Sequence, residues 1–275
     1  MGNQIKKIIF AVFFSAGILL TLSCGSSQIT PNYSAEDRFR QGKEKFRDGD
    51  YLEAISDFDV IKMQYPGSGV ADSAQFYLGE CHFQRGEYLL AAEEYQTLKR
   101  SMPASGLIPS AQYKIALCYY NLSPKAPLDQ KYVTRAIDEF QTFIEYYPKE
   151  AQIPDAESKI KELNNRIAQR LYETAGMYMT MEYFKSAAIY YNNVVEKYFD
   201  TPFAEPSLLG KVKALVSRKR YDEAKKDIEK FFDKYPNSSL KQEAQSLRDD
   251  INDHLKIKSA AIDVVIPEFP DETNA

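Results

Sequence analysis

The chain has 275 residues but no tryptophan, only two histidines and only three cysteines. That is too little material for a histidine-based catalytic centre or for a zinc site with three or four ligands. Neither His82 nor His254 has a cysteine or carboxylate at ligand spacing nearby, so no metal is expected. The carboxylate pairs Glu93-Glu94 and Asp249-Asp250 fall on different sides of a helix and read as solvated surface. Glycine (12) and proline (13) are scarce, which disfavours a fold of many tight turns. No charge sign dominates: 35 basic against 39 acidic residues leave a net charge of −4, which argues against nucleic acid as the main partner. A glycine-rich phosphate loop and a nucleophile motif are both missing, so no cofactor and no enzymatic chemistry are expected. What is abundant is tyrosine (20) and phenylalanine (16), in a chain whose 44% apolar and 27% charged residues are ordinary for a globular protein. The composition leans toward binding or assembly.

The N-terminus reads as an address. Lys6 and Lys7 precede an apolar run from Ile8 to Leu20, followed by small and polar residues, the marks of a secretory signal. The run is shorter than the roughly 20 residues of a spanning helix. Leu20-Thr21-Leu22-Ser23-Cys24-Gly25 resembles a bacterial lipobox, and the resemblance implies lipidation at Cys24 after removal of residues 1–23. Gly25 supplies no acidic residue behind the cysteine, which implies an outer-membrane anchor facing the periplasm. A plain secreted protein is the alternative. Residues 24–34, rich in Ser, Thr, Asn and Pro toward their end, read as a lipidated flexible tether.

From Ala35 the apolar period is helical and one pattern recurs. Its first copy is Gly42…Gly49-x-Tyr51-x-x-Ala54-x-x-x-Phe58-x-x-Ile61…Tyr65-Pro66. The second has Gly79, Gly86, Tyr88, Ala91, Tyr95, Leu98 and Pro103. The third has Ala116 in the glycine slot, then Ala136, Phe140, Phe143 and Pro148. The fourth has Ala175, Phe184, Ala187, Tyr191, Val194 and Phe199; the fifth has Tyr221, Ala224, Ile228, Phe231 and Pro236. These are tetratricopeptide repeats, in which a small residue lets helix A meet helix B and proline ends helix B. The expected fold is all-α, a right-handed superhelix of five such repeats with a C-terminal capping helix. Three front repeats occupy 35–153, and a long helix, two rear repeats and the cap occupy 154–258. The apolar spacing of Ala156, Ile160, Leu163, Ile167 and Leu171 predicts one helix from Pro154 to about Met181. An insertion between Asn121 and Lys131 carries two prolines that exclude helix. Leu240 to Leu255 caps the stack, and residues 259–275 read as a disordered tail.

The lipobox, the five long repeats with Tyr-Pro ends, the insertion before Thr134-Arg135-Ala136-Ile137 and the long helix together resemble the BamD family, lipoproteins of the β-barrel assembly machine, over roughly residues 24–255. The resemblance implies a non-enzymatic scaffold and substrate receptor whose front half receives unfolded outer-membrane polypeptides. Its rear half would dock on periplasmic domains of the barrel subunit. A periplasmic adaptor for envelope maintenance or peptidoglycan synthesis, of the kind associated with the Tol–Pal system, and a nutrient-capturing surface lipoprotein are the competing readings.

Candidate contact residues follow from repeat position. The fifth and twelfth residues of each helix A tend to face the groove of such a stack; here they are Phe39, Phe76, Tyr113 and Tyr172, and Phe46, Phe83, Tyr120 and Met179. A ladder of rings suits an extended peptide, with Lys43 and Arg47 placed for a carboxylate. The alternative is that the rings only pack neighbouring helices. Residues 36–104 carry 9 basic and 13 acidic side chains, whereas residues 205–234 carry 9 and 6. Lys211, Lys213, Arg218, Lys219 and Arg220 therefore form a candidate dock for an acidic partner, with a solvated face or lipid headgroups as the alternatives. Cys81 and Cys118 hold the same slot in neighbouring repeats, too far apart for a disulfide, and are expected as free buried thiols.

Overall fold

The computed structural model describes residues 33–123 and 131–265, with side chains to residue 257. The lipobox, Cys24 and the tether up to residue 32, residues 124–130 of the insertion, and the tail from residue 266 lie outside the described residues. Among the described residues there are eleven helices and no strand. They are α1 (Ala35–Asp48), α2 (Tyr51–Gln64), α3 (Ala71–Gln84), α4 (Tyr88–Ser101), α5 (Ile108–Leu122), α6 (Lys131–Tyr146), α7 (Ile153–Thr180), α8 (Phe184–Lys197), α9 (Ala204–Ser217), α10 (Tyr221–Lys234) and α11 (Lys241–Val265). Each helix packs on its predecessor and its successor, and α1–α3, α7–α9 and α9–α11 also touch. The result is a tetratricopeptide superhelix of five helix pairs with α11 covering the rear end.

Two turns recur. Between pairs, an amide donates back three residues: Ser68 to Tyr65, Ser105 to Met102, Glu150 to Tyr147, Thr201 to Tyr198 and Ser238 to Tyr235, at 3.0–3.2 Å. Proline follows the accepting residue in four of the five, where its fixed φ suits the second position of the turn. Within pairs, one residue is left-handed: Gly49 (φ 88°), Gly86 (φ 75°), Glu182 (φ 61°) and Lys219 (φ 57°). Its amide and the next one bond to the end of the first helix; Gly49 donates to the Phe46 carbonyl and Asp50 to that of Lys45. Glycine enters this region without steric cost, whereas Glu182 and Lys219 bear it.

The seam inside each pair is set by volume matching. A Cβ on Gly42 would stand 2.7 Å from the Phe58 ring, and one on Gly79 would stand 2.5 Å from the Tyr95 ring. In the third pair Ala116 shares its core cluster with Phe140. The fourth slot is Ala175, and Tyr191 presses instead on the next pair, where a Cβ on Gly210 would lie 2.6 Å from its Cζ. In the fifth pair the slot is Val212 and the ring is replaced by Ile228. From the fourth pair on, a slot without glycine goes with a ring turned to the next pair or with a smaller residue opposite.

The long helix α7 lies within one residue of its predicted span at each end. The cap departs from expectation: α11 continues to Val265, through residues 259–265 that the sequence reading gave to a disordered tail. Ser259 to Val265 contain neither glycine nor proline, and the first residue unable to continue a helix is Pro267. Cys81 and Cys118 are free and buried, and burial pushes both thiols up to about 12.

Two outcomes follow from this packing. Gly79→Ala will lower stability by about 1–3 kcal/mol because its methyl overlaps Tyr95, whereas Lys219→Gly will raise it by about 0.5 kcal/mol on release of left-handed strain; urea unfolding monitored by circular dichroism checks both signs. Cys81 and Cys118, protonated at pH 8, will stay unreactive toward Ellman's reagent in the native protein and react once it is unfolded in guanidinium.

Candidate functional site

The first helices of the front pairs carry the predicted ring ladder, and the structure places every one of those rings half-buried. Tyr77, which the ladder did not include, is the hub. Its ring centroid lies 5.8 Å from Phe39, 5.3 Å from Phe46, 5.6 Å from Phe58 and 6.2 Å from Phe76. Most of these contacts are edge-to-face, the arrangement aromatic quadrupoles favour. Lys43 lies over this cluster, its Nζ 5.1 Å from the Tyr77 centroid and 5.8 Å from that of Phe39. Arg47 is exposed beside it. Phe76 also meets Tyr95 at 5.4 Å, and Phe83 packs on Tyr88 at 5.3 Å beneath the Lys114 ammonium at 4.9 Å. Lys114 is itself bound to Glu80 at 2.8 Å, and Tyr95 donates its hydroxyl to the same carboxylate. Burial, then the Glu80 charge, keeps that phenol neutral.

The ladder changes character at the third pair. Tyr113 packs on Phe143 (5.2 Å) and Phe140 (6.0 Å) and donates its hydroxyl to Asp155. Tyr120 donates to Glu162 at 2.6 Å and lies under both Lys159 (4.6 Å) and Arg166 (5.5 Å). All four partners stand on the first half of α7, so the long helix is seated on these two tyrosines. Burial and the Asp155 hydrogen bond push the Tyr113 phenol up, beyond the usual tyrosine range. In the fourth pair Tyr172 packs on Tyr191 and Phe203, and Met179 joins the same small core. The rings of pairs one and two are therefore joined to one another through Tyr77, while those of pairs three and four are taken up by helix packing.

A polar ladder runs beside the rings, and sequence reasoning missed it. Asp57, nearly buried on α2, accepts from Arg38 at 3.0 Å and Lys45 at 2.6 Å on α1. The equivalent residues one repeat on are Gln75 and Glu94: the Gln75 amide donates to the Glu94 backbone carbonyl at 3.0 Å and to its carboxylate, which Lys62 also binds at 2.7 Å. In the third pair buried Gln112 donates to the Glu139 carbonyl (2.9 Å) and carboxylate (2.7 Å) and accepts from Lys99. Glu94 is thus part of a half-buried network and not the solvated surface the sequence suggested, because helix α4 turns it inward between α2 and α3. Its neighbour Glu93 is exposed and pairs with Arg100 at 2.8 Å. The common step of 37 residues from Arg38 to Gln75 to Gln112 was the signal available in the sequence.

The rear basic cluster is partly self-neutralised. Lys211 pairs with Asp227 at 2.9 Å, Lys213 with Glu243 at 2.5 Å, and Arg220 with Glu223. Arg218 and Lys219 sit at the turn from α9 to α10, Lys219 exposed in its left-handed conformation. Among the described residues no group of three or more His, Cys, Asp or Glu is placed to hold a metal ion. No described helix is long and apolar enough to cross a membrane.

Comparison with known proteins gives one family over most of the chain: the Outer membrane lipoprotein family model, YfiO, matches residues 31–219. A tetratricopeptide repeat model matches residues 207–238, the fifth helix pair. No curated protein matches. Among solved structures, the chain is similar to the TPR2AB domain–pHSP90 complex of yeast Sti1, at 15% identity over 83% of this chain and 87% of that one, with a TM-score of 0.41. It is also similar to a tetratricopeptide protein of Parabacteroides merdae (14% identity, 83% and 76% covered, TM-score 0.35) and to TTC0263 of Thermus thermophilus (16%, 81% and 99%, TM-score 0.35).

The polar ladder separates two adjacent carboxylates by experiment. Glu94→Ala will cost about 1–3 kcal/mol, since it leaves Lys62 without its acceptor and Gln75 with the backbone carbonyl alone, whereas Glu93→Ala will stay within about 0.5 kcal/mol. Urea unfolding midpoints of the two variants measure the difference.

Proposed function

The chain belongs to the outer membrane lipoprotein family, and from that premise we propose that it is a lipid-anchored, non-enzymatic scaffold and substrate receptor for the assembly of β-barrel proteins in the outer membrane. In this reading residues 1–23 are a signal peptide, Cys24 carries the lipid, and residues 24–34 tether the superhelix to the periplasmic face. A multiply acylated cysteine holds a protein stably on a bilayer, whereas one chain alone holds it marginally. The protein is a partner of polypeptides and membrane, with no role for nucleic acid.

The observation that carries the proposal is the half-buried ring cluster of pairs one and two with Lys43 above it and Arg47 beside it. A barrel strand carries apolar or aromatic side chains at alternate positions with polar ones between, and rings that are already ordered bury large area against the apolar set at small entropic cost. Lys43 and Arg47 supply cations for a peptide carboxylate. The chemistry is recognition alone: substrate is held extended and released, with no bond made or broken. The two rear pairs and α11 supply the surface for periplasmic domains of the barrel subunit. There Arg218 and Lys219 carry more of the long-range attraction than Lys211, Lys213 and Arg220, whose charges are compensated within the chain.

Crosslinking and pull-down of the lipidated protein tests the reading as a whole: the expected catch is a barrel subunit with periplasmic modules, and recovery of peptidoglycan enzymes without it would replace the proposal with the adaptor reading. At the level of residues, the double change Phe39→Ala and Phe76→Ala will weaken binding of an aromatic-ended outer-membrane peptide by about tenfold or more. Lys43→Glu, which leaves the rings packed, will weaken carboxylate-ended peptides selectively. Unchanged affinity in both folded variants rejects the groove.

A further inference from the structure

The chain enters the superhelix at one edge. The Tyr65 hydroxyl donates to the Tyr33 carbonyl at 3.3 Å, and Arg38 lies over the Tyr33 ring at 5.6 Å, so the backbone reaches α1 beside the turn that ends α2. In the front half that edge consists of the turns between pairs, residues 65–70, 102–107 and 147–152. Ser105 on the second turn donates at 2.6 Å to Asp72 just past the first, and Asp155 just past the third holds Tyr113 of α5, so the three stand side by side. Their eighteen residues carry two charges of opposite sign, Lys149 and Glu150. The cations nearest them on α2 and α4 are held by partners: Lys62 by Glu94, Lys99 by Gln112 and Arg100 by Glu93. Glu145 stands exposed on the last turn of α6. Beside these turns project two strongly exposed apolar side chains, Met63 (74%) and Tyr146 (69%).

The long helix decides which edge of the front half is open. Its first half runs parallel to α5: Asp155 meets Tyr113, Glu162 meets Tyr120, and Arg166 donates to the Ser123 carbonyl at 3.4 Å, at the far end of α5. Fourteen further residues, to Thr180, continue past that end, about 21 Å of helix. Helices α8 and α9 pack on this second half, where Tyr172 meets Tyr191 and Phe203. The rear half therefore projects beyond the front edge that carries Gly49, Gly86 and exposed Leu89, and keeps a flat surface off it. At the Tyr33 edge, by contrast, each of α1–α7 starts or ends.

Nine residues separate Cys24 from Tyr33, a span of at most about 30 Å. An anchor at Cys24 thus holds this edge near the bilayer, and on a tethered body even a weak contact forms at high effective concentration. Tyrosine suits the headgroup level, with its ring toward the acyl chains and its hydroxyl toward water. A nearly uncharged edge gives up little hydration on contact. We infer that the edge formed by residues 65–70, 102–107 and 147–152 lies on the lipid surface, with Met63 and Tyr146 in the headgroup layer. The long helix then carries the rear half one helix length deeper into the periplasm. This orientation rests on the proposed anchor at Cys24.

The test uses the chain expressed with its own residues 1–23, purified in detergent and reconstituted without other proteins. The vesicles are of phosphatidylethanolamine and phosphatidylglycerol with a headgroup-nitroxide lipid. A fluorophore is attached to one introduced cysteine at a time: Ala104→Cys or Lys149→Cys on the contact edge, Gln84→Cys on the opposite edge, Lys185→Cys at the start of α8. Cys81 and Cys118 are buried and stay unlabelled. Nitroxide quenching will be about twofold or more stronger at 104 and 149 than at 84, and absent at 185. The double change Met63→Ser and Tyr146→Ser, at exposed positions that leave the fold unaltered, will cut quenching at 104 and 149 by about twofold or more. Equal quenching at all four positions, strongest quenching at 84 or 185, or quenching untouched by the double change overturns the orientation. Flotation and the mass of the Cys24 peptide are read on the same samples. A chain that neither floats nor carries lipid overturns the anchor reading, and this inference with it. A lipidated chain that floats with the wrong quenching order overturns the orientation alone.

Discussion

The superhelix rests on one steric constraint, the approach of each first helix to its second at a slot too small for anything but glycine, alanine or a matched β-branched residue. Where the slot is Gly42 or Gly79, a full aromatic ring from the second helix occupies the space that a Cβ would take. That contact sets the distance between the helices, and with it the angle at which the next pair leaves. Interiors packed at crystal density leave no slack to absorb a mismatch. The fourth pair shows the same rule from the other side: with Ala175 in the slot, Tyr191 finds its room against Gly210 of the following pair, so an intra-pair seam becomes an inter-pair one. The rear of the superhelix is consequently stitched differently from the front, and α7–α9 contact accompanies the change.

Packing alone tolerates sliding of one pair on the next; the polar ladder does not. Asp57, Glu94 and Glu139 each sit close to a slot seam and are satisfied by residues from a different helix. Lys62 and Lys99 come from the preceding pair, so the second and third rungs each tie two repeats together in one register, while the Asp57 rung ties α1 to α2 within the first pair. A shift by one helical turn would leave a half-buried carboxylate without its cation, a cost greater than the net gain from any single well-made hydrogen bond. The ladder is interrupted in the fourth pair, where its positions are held by Leu171 and Tyr190, and its carboxylate position returns in the fifth pair as Asp227, which Lys211 binds at 2.9 Å.

What could be seen in the sequence was whatever recurs at fixed offsets within each repeat or at helical spacing. The slots, the central alanines and the seam rings keep fixed offsets within each repeat, the span of α7 follows from its helical apolar spacing, and each lies where that spacing places it. Even Gly49 and Gly86 announce left-handed turns, whereas Glu182 and Lys219 occupy the same conformation without the residue type that would reveal it. The contacts around the candidate site were less visible because their partners come from outside the repeat. Tyr113 and Tyr120 hold ladder positions in register with Phe76 and Phe83, yet Asp155 and Glu162 reach them from a helix 42 residues away. Tyr77 has no aromatic counterpart one repeat away, Arg40 and Lys114 standing at those positions, so no pattern pointed to it as the hub.

The long helix therefore has a consequence beyond its length. By extending α7 toward its N-terminus, the chain brings Asp155, Lys159, Glu162 and Arg166 onto the two tyrosines of the third pair and satisfies both hydroxyls and both ring faces with its own residues. An incoming peptide would have to displace charge-assisted hydrogen bonds to use those rings, and displacement of that kind returns little net affinity. The rings of the first two pairs meet one another and a single mobile class of side chain, lysine, whose removal from a ring face costs little at an exposed site. The same ladder position thus changes from rings that meet one another to rings held by α7 where that helix begins to cover them, which places the proposed receptor groove in the first two pairs.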